Sequence, residues 1–599
     1  MAVQLHPTND NLECSSKNYP EWSKLMPDPD LIDPSILFDP NLTITLGKEL
    51  QKRIGTLPRV EVHAFHLEYQ PGEIVRMLRV QPQSYAEIAR AVRAARTMKL
   101  TVRACGQRTG GDTGIYGTTP TLLIDCTKLG DSPRMEFVNV IRKGESEQIP
   151  GLRVLASVSW DELVKFQILH RIEIAQAVET TSVWGTVVGA ITATTPGIVG
   201  PAGGAAGGCL SDEVICVRIV DCHGDLITYS SQEELSSALS TLGLLGVVYD
   251  VTLRYKPMTL TNVTYKFLKW SEVLESGSKI LQDSIETDVF TELIYLPFNS
   301  CEIGSEQALI DLEDWDPLED EIILRTGQRV DLSESGIDGA TSGPVLDSEP
   351  RQQVHLLDPI FGPEPKAFVC SPEKTPWLLA SAYSYLRCRF RPNPQVTQFT
   401  PWALNSLGKI TEPLRQIRFT AECDRGLSNF PQCMSNILET IRDMALGGTH
   451  KMPNFSINLG LRIHFTDGTQ TGRLLGVGLE SDPSDKGSTI LAHITFNGIT
   501  NPGPNTLWTQ AATRITNLIL GNLPRSVTQW KTEWHGQERI CNRYQELLET
   551  QVEPLKKLVA IADRDGVFLN ELLNSILYTT PTFYQNLYRK QRADALSRL

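Results

Sequence analysis

A chain of 599 residues is longer than one hydrophobic core usually supports, so two or three domains are expected. Its composition, 41% hydrophobic and 21% charged, is that of a soluble globular protein and excludes a disordered or fibrous chain. A net charge of -14 argues against non-specific nucleic-acid binding, which needs a basic surface to displace counterions.

Three further features bound the reading. No apolar run approaches the roughly 20 residues a transmembrane helix needs. The beginning, MAVQLHPTNDNLECSSKN, lacks the basic and apolar regions of a signal peptide. The twelve cysteines are scattered without metal-type CxxC pairs, so they read as reduced thiols, a disulfide framework being the alternative; no metal site is expected.

Residues 1–57 are rich in Pro, Asn and Asp and read as a surface extension. Regular structure follows. Ser84-Tyr85-Ala86-Glu87 forms a capping box ahead of a helical run in which Ile88, Ala91, Val92 and Ala95 share one face. A short strand, Leu100 to Arg103, leads into the glycine-rich RACGQRTGGDTGIYG, and the apolar strand TLLIDCTKL follows. Strand RVLASVS precedes a second capping box, Ser159 to Glu162, with a helix to about His170. A second glycine-rich stretch spans Gly185 to Gly208. After it come strands EVICVRIVD and LITYS, a helix, and the glycine-punctuated GLLGVVYDVTLRY. Mixed strands and helices with two glycine-rich turns indicate an α+β class.

From about residue 259 the strands lengthen: VTYKFL, VFTELIYLPF, SINLGLRIHF and TILAHITF, interleaved with helices such as PQCMSNILETIRDMAL. This predicts a second domain with a large sheet flanked by helices. Residues 302–365 are acidic and rich in Gly, Ser and Pro, and read as an insertion or lid.

In the first glycine-rich loop, Gly106, Gly110, Gly111 and Gly114 leave consecutive N–H groups unobstructed, a nest for phosphate oxygens. Arg108, Thr109 and Thr113 are candidate added donors. By itself the loop reads better as a glycine-rich surface loop, and it fits neither GxGxxG nor GxxxxGK.

Four blocks in order extend the pattern: the strand, loop and TLLIDCTKL; VLASVSWDELVKFQILH; TSVWGTVVGAITATTPG; and LSTLGLLGVVYDVTLRY. Together, over residues 58–258, they resemble the FAD-binding domain of the vanillyl-alcohol oxidase and p-cresol methylhydroxylase superfamily. The resemblance implies a two-subdomain FAD-binding domain (58–258) and a substrate domain (259–545). It also implies a C-terminal segment, 546–599, that returns to the FAD domain. It implies that FAD is held by Arg103, Gly106, Gln107, Arg108, Thr109, Gly110, Gly111, Asp112 and Thr113. The second stretch would add Thr181, Gly185, Gly189, Thr192, Thr195 and Gly197, and the later strand Gly246, Val247 and Val248.

Within the superfamily, ADRDGVFLNEL near the C-terminus and VFTELIYLPFNS resemble the aldonolactone and alditol oxidases. The resemblance puts Lys531, of Gln529-Trp530-Lys531, beside the flavin, where its charge would stabilise the reduced anion; a solvated surface lysine is the alternative.

Departures from that pattern matter. Gln107 stands where many relatives carry the histidine that bonds to FAD, so non-covalent FAD is expected, and Cys105 reads as structural. The second stretch carries Thr195-Pro196-Gly197 in place of a His-Gly pair. The subgroup's Glu-x-Arg pair is replaced by Arg462-Ile463-His464, whose alternation puts Arg462 and His464 on one face without a carboxylate. His493 and Thr495 match the His-x-Thr of the alditol branch; packed core histidines are the competing reading.

The expected chemistry is hydride removal from an alcohol-type C–H. His493 or His464 would act as base, Arg462 would line the pocket, and O2 would serve as acceptor to give H2O2. Two alternatives stand beside it: oxidative cyclisation or dehydrogenation of a larger secondary metabolite, and flavin binding without catalysis. The ending Ser597-Arg598-Leu599 is one change from SKL and predicts a peroxisomal address read by the import receptor.

Overall fold

The structure is a computed structural model. It describes residues 40–66, 74–107, 120–130, 133–143, 146–178, 185–193, 195–205, 208–239, 241–275, 279–301, 312, 314–330, 374–392, 394–404, 414–446, 457, 459–468, 489–499, 506–523, 526–528, 540, 559, 562–563 and 565–569. Three main sheets organise them.

The first sheet holds β1 (Val60–His66), β2 (Ile74–Val80), β3 (Thr101–Cys105) and β4 (Thr121–Asp125), in the order β1-β2-β4-β3. Helix α1 (Pro40–Ile54) packs on it with Leu46, Leu50 and Ile54 in the core, so residues 40–54 are part of the fold and not the surface extension expected. Helix α2 (Tyr85–Thr97) buries Ile88, Ala91, Val92 and Ala95, the face its periodicity predicts. Its cap is simpler than a capping box. Ser84 makes no side-chain cap bond, while Glu87 turns back to accept from the Gln83 N–H at 2.8 Å.

The second sheet comprises β5 (Met135–Ile141), β6 (Gln148–Leu155), β8 (Val214–Val220), β9 (Leu226–Tyr229) and β10 (Val247–Arg254), ordered β5-β6-β10-β8-β9. Helix α3 (Trp160–His170) starts from the complete Ser159–Glu162 capping box that the sequence predicts. A two-stranded ribbon of β7 (Ile172–Glu173) and β11 (Lys256–Pro257) leads to the third sheet.

The third sheet has eight strands: β12 (Leu260–Lys269), β13 (Phe290–Tyr295), β14 (Glu321–Val330), β15 (Gln395–Phe399), β16 (Leu414–Asp424), β17 (Leu461–Asp467), β18 (Thr489–Ile499) and β19 (Ser526–Thr528). Their order is β15-β12-β14-β13-β17-β18-β16-β19, every pair antiparallel. β14 lies inside the expected acidic insertion. Residues 321–330 are therefore a central strand, and the insertion reading fails there.

The acidic run before β14 has a structural use. Asp320 is fully buried and accepts from Tyr295 Oη at 2.7 Å, the Phe298 N–H at 2.9 Å, the Ser300 hydroxyl at 2.6 Å and Trp315 Nε1 at 3.2 Å. Burial raises the pKa of this carboxyl, and the bonds from Ser300, Tyr295 and Trp315 oppose that rise.

One hydrophobic core runs through all three sheets, from Leu46 and Ile88 to Val289 and Phe465. The C-terminal Ala562–Leu569 segment lies on the first two sheets: Val567 O accepts from Val102 N at 2.6 Å and Cys222 Sγ reaches Ala562 O. The nine described cysteines carry free thiols. No described helix is long and apolar enough to cross a membrane. The Ser597-Arg598-Leu599 ending lies outside the described residues.

Candidate active site

Antiparallel register lines up side chains on one face of the third sheet. Arg325, Glu292, His464, His493 and Thr420 are direct partners in one row across β14, β13, β17, β18 and β16. One step along the strands the row reads Ile294, Arg462, Thr495, Arg418. Glu292, Arg325, Arg418, His464 and His493 are 0% exposed and Arg462 is 3% exposed. A sheet face that ought to be apolar is instead a dry polar layer. Such a layer is stable only if its charges are paired.

Pairing is what the geometry shows. Glu292 sits between two guanidiniums, with Arg325 Nη1 at 2.9 Å from one carboxylate oxygen and Arg462 Nε on the other. Arg325 also donates to the Ala403 carbonyl and lies 4.4 Å over the Phe290 ring. The carboxylate–guanidinium pair that β17 lacks along its own length is thus assembled across strands, Glu292 of β13 facing Arg462 of β17. The expectation that no such pair exists is overturned by this register.

The two histidines differ in their bonds. Thr420 Oγ1 lies 2.9 Å from His493 Nδ1 and Thr466 Oγ1 lies 2.7 Å from Nε2. A neutral imidazole has one donor and one acceptor nitrogen, so one threonine hydroxyl accepts from the ring and the other donates to it. His464 lies beside His493 with ring centroids 4.8 Å apart and 30° between the planes, and it faces the Gly197 backbone. Burial holds both rings well below the usual histidine pKa. Arg418 and Arg462 add to this at His464, and His464 and Arg418 at His493. Both imidazoles are therefore neutral near pH 7. Arg418 donates from Nε to Thr495 Oγ1 at 3.0 Å.

This face looks onto the second glycine-rich stretch. Beyond the His464–Gly197 contact, Gly200 N donates to Val289 O at 2.8 Å, and a Cβ at Gly208 would lie 3.1 Å from Thr466 Oγ1. Arg329 Nη1 donates to Gly203 O at 2.8 Å.

Several expected cofactor residues fit a backbone-lined cradle. A Cβ on Gly106 would meet Thr186 Oγ1 at 2.3 Å, so the first loop packs directly on the cap of the short helix α4 (Val187–Thr192). A Cβ on Gly197 would strike the Gln176 carboxamide at 2.0 Å. Thr195 Oγ1 and Ser211 Oγ are buried without a hydrogen-bond partner among the described atoms, unsatisfied donors of the kind a cofactor would engage.

Other candidates have local structural tasks. Gly185 O accepts from Trp160 N, Gly189 N is capped by Thr186 Oγ1, and Thr192 Oγ1 bonds back to Val188 O. Gly246, at φ +142, packs against the Val220 carbonyl, and Val247 and Val248 pair with Val220 and Ile219. Arg103 differs from expectation. Its buried guanidinium donates to Phe568 O at 3.0 Å and Leu242 O at 2.7 Å, clamping the C-terminal segment instead of reaching for phosphate. Burial lowers its pKa to about 10. Gln107 is exposed at the end of β3. Arg108, Thr109, Gly110, Gly111, Asp112, Thr113, Thr181 and Lys531 lie outside the described residues.

Sequence reasoning missed Glu292, Arg325 and Arg418. The signal was present: each is a charge at an inward position of a strand. Among the described residues no group of His, Cys, Asp and Glu could hold a metal ion.

The mixed α+β architecture with its large antiparallel sheet is the fold of FAD-binding oxidases. Cholesterol oxidase from B. sterolicum superposes with a TM-score of 0.63 at 13% identity, covering 87% of this chain and 97% of that one. A solvent-stable cholesterol oxidase gives 0.60 at 13%, covering 86% and 98%, and a chitooligosaccharide oxidase 0.50 at 11%, covering 82% and 90%. No protein-family model and no curated protein matches the sequence.

Proposed function

We propose that the protein is an FAD-dependent oxidase that oxidises an alcohol-type carbon of a small organic substrate, with dioxygen as terminal acceptor and hydrogen peroxide as product. The observation that carries this reading is the buried Glu292–Arg462–His464 constellation facing the glycine strip at Gly197. FAD, once bound, supplies the hydride acceptor; Gly106, Gly197 and the Thr195 and Ser211 hydroxyls are the described residues that would hold it. The glycine-rich half carries no histidine in the described part of its first loop, which supports non-covalent attachment.

The chain's own groups supply the rest. His464 takes the hydroxyl proton on a neutral ring nitrogen as the carbinol C–H is broken. Of the two histidines it is the better base, because both nitrogens of His493 are already held by threonines. Lying beside its neighbour, His493 fixes the ring plane of His464. Arg462 offsets the negative charge that develops on the substrate oxygen, and Glu292 fixes the guanidinium's orientation. Burial keeps water away from all four groups. The structural neighbours, oxidases of cholesterol and of chitooligosaccharides, and the resemblance to aldonolactone oxidases set the first substrate panel.

Purified protein should show a flavin absorbance spectrum, and acid precipitation should release all the yellow colour into the supernatant. Anaerobic addition of sterols, oligosaccharides, sugar lactones and hydroxy acids should bleach the flavin for at least one class, and air should then yield peroxide. Colourless protein that takes up no added FAD would sink the proposal; colour kept on the pellet would sink non-covalent attachment alone.

A further inference from the structure

An outer strand of a sheet offers a row of backbone donors and acceptors to other chains, and soluble proteins blunt such edges by shortness or charge. Most outer strands of the three main sheets follow that rule. β9, β15 and β19 are four, five and three residues long, and β3 is buried at every position but Ala104. β1 is longer but carries Glu61, His63 and His66. β5 is the exception: seven residues, MEFVNVI, in which Glu136 is the only charge. Among the described residues it pairs with β6 alone.

The same strand shows large apolar side chains to solvent. Phe137 is 45% exposed and Ile141 54%, and alternation puts both on one face. The Phe137 ring is set 5.6 Å from Phe166, 5.3 Å from His170 and 5.2 Å from Tyr255, so its orientation is fixed before any partner arrives. Leu169, on the last turn of α3 beside His170, is 71% exposed. Aromatic anchors held in place in this way carry much of the energy of protein interfaces.

The strand's own sequence shows what fits it. Pairing β5 antiparallel with a second β5, about a two-fold axis at Asn139, sets Phe137 opposite Ile141, Val138 opposite Val140 and Glu136 opposite Arg142. Each pair then occurs twice, as a two-fold interface requires. Glu136 keeps its ion pair with Arg153 and gains a second guanidinium, the arrangement that Glu292 has with Arg325 and Arg462. Neighbouring registers are poorer. An axis at Val138 sets Phe137 against Asn139 and Arg134 against Arg142; one at Val140 sets Phe137 against Lys143. We propose that the protein forms a two-fold dimer through β5, in which two five-stranded sheets join into one continuous sheet. The dimer and the oxidase reading stand on different residues.

Sedimentation velocity of the full chain should show a dimer at micromolar concentration that dissociates on dilution. Phe137→Lys and Ile141→Glu should each be monomeric with a near-parental urea midpoint, because both side chains lie at the surface. Mixed together, the two variants should recover the dimer. The introduced charges then face each other across one half of the interface, and the native Phe137–Ile141 contact remains in the other. If either variant does not fold, the axis residue decides. Asn139→Cys should cross-link to itself in a glutathione redox buffer at least about tenfold more than the parent or Ile227→Cys on the β9 edge, since directly opposed Cβ atoms lie within disulfide reach. A parent that stays monomeric, a dimer that survives both single substitutions, a mixture that remains monomeric or an Asn139→Cys that does not cross-link overturns the inference.

Discussion

The glycine-rich half and the eight-stranded half contribute to the site with different parts of the chain. In the first, the packing rests on backbone: Gly106, Gly197 and Gly246 sit where a single Cβ would meet a neighbour at 2.0–2.3 Å. In the second it rests on side chains: Glu292, Arg325, Arg418, Arg462, His464 and His493 fill positions that an ordinary sheet would give to Leu and Val. The first half tolerates no added atom, and the second tolerates no removed charge. Substitutions at the two places should therefore fail in distinguishable ways.

The largest effect is expected at the ion cluster. Arg462→Met leaves Glu292 with Arg325 alone, and removing one partner of a buried pair costs about 3–5 kcal/mol. The urea midpoint should fall accordingly, and flavin reduction should drop at least about 100-fold through loss of charge stabilisation. Flavin content per folded protein should stay near normal, because the glycine cradle is untouched. Normal reduction kinetics in this variant would show that the cluster is structural only.

Gly197→Ala tests the other half. Gln176 is locked where the new methyl would go, its Oε1 accepting from Val199 N at 2.8 Å and from Ala177 N at 3.1 Å. Displacing it costs about 1–3 kcal/mol by overpacking. The failure expected is weak flavin retention on gel filtration, with residual activity restored by added FAD. Tight flavin with impaired reduction would reverse the assignment of the two halves.

How much of this was legible follows from the same contrast. Periodicity located α2 and α3 and the strands 214–220 and 489–499 nearly residue by residue, because apolar faces repeat at 3.6 or 2. It also put His464 and His493 on strands, while their adjacency comes only from the pairing of β17 with β18. The strand 321–330 was hidden by the acidic residues that precede it, whose meaning depends on the buried hub at Asp320. The Glu292–Arg462 pair was hidden for a different reason. The two residues are 170 apart in sequence and meet only through the register of β13 with β17, which no spacing rule within one strand reveals. Arg103 misled because a cation entering a glycine-rich loop suggests phosphate, while its partners are carbonyls contributed from residues 242 and 568.

Acid should weaken the eight-stranded half through its two buried histidines. His464 and His493 have folded pKa values below the unfolded 6.5, so below pH 6.5 the unfolded chain binds protons that the folded chain does not. Their contribution is complete above pH 6.5 and declines as pH falls, by about 1.4 kcal/mol per pH unit per ring, until the folded pKa is reached. Urea midpoints between pH 7 and 5 should fall more steeply in the parent protein than in His464→Gln, each curve referred to its own value at pH 7. Parallel curves would show that His464 does not titrate as a buried neutral ring.

The smallest expected effect probes the seam between the halves. Arg329, on the polar face of β14, sends Nη1 to Gly203 O, Nη2 to the buried Glu173 carboxylate at 3.3 Å and Nε to Thr259 Oγ1 at 3.2 Å. Glu173 also pairs with Lys256 at 3.3 Å and accepts from Thr259 N at 2.9 Å. One planar group thus ties the glycine strip, the ribbon at β7 and the third sheet together. Lysine keeps the charge and loses the fork, so Arg329→Lys should cost about 1–2 kcal/mol, roughly one or two hydrogen bonds to charged or carbonyl partners. Because Glu173 retains Lys256, the buried carboxylate is not stranded and the protein should fold. What should change is the setting of the Gly197–Gly203 strip against His464: kcat for flavin reduction falls a few-fold while flavin content per folded protein is unchanged. A loss of stability without any change in kcat would confine Arg329 to holding the fold together.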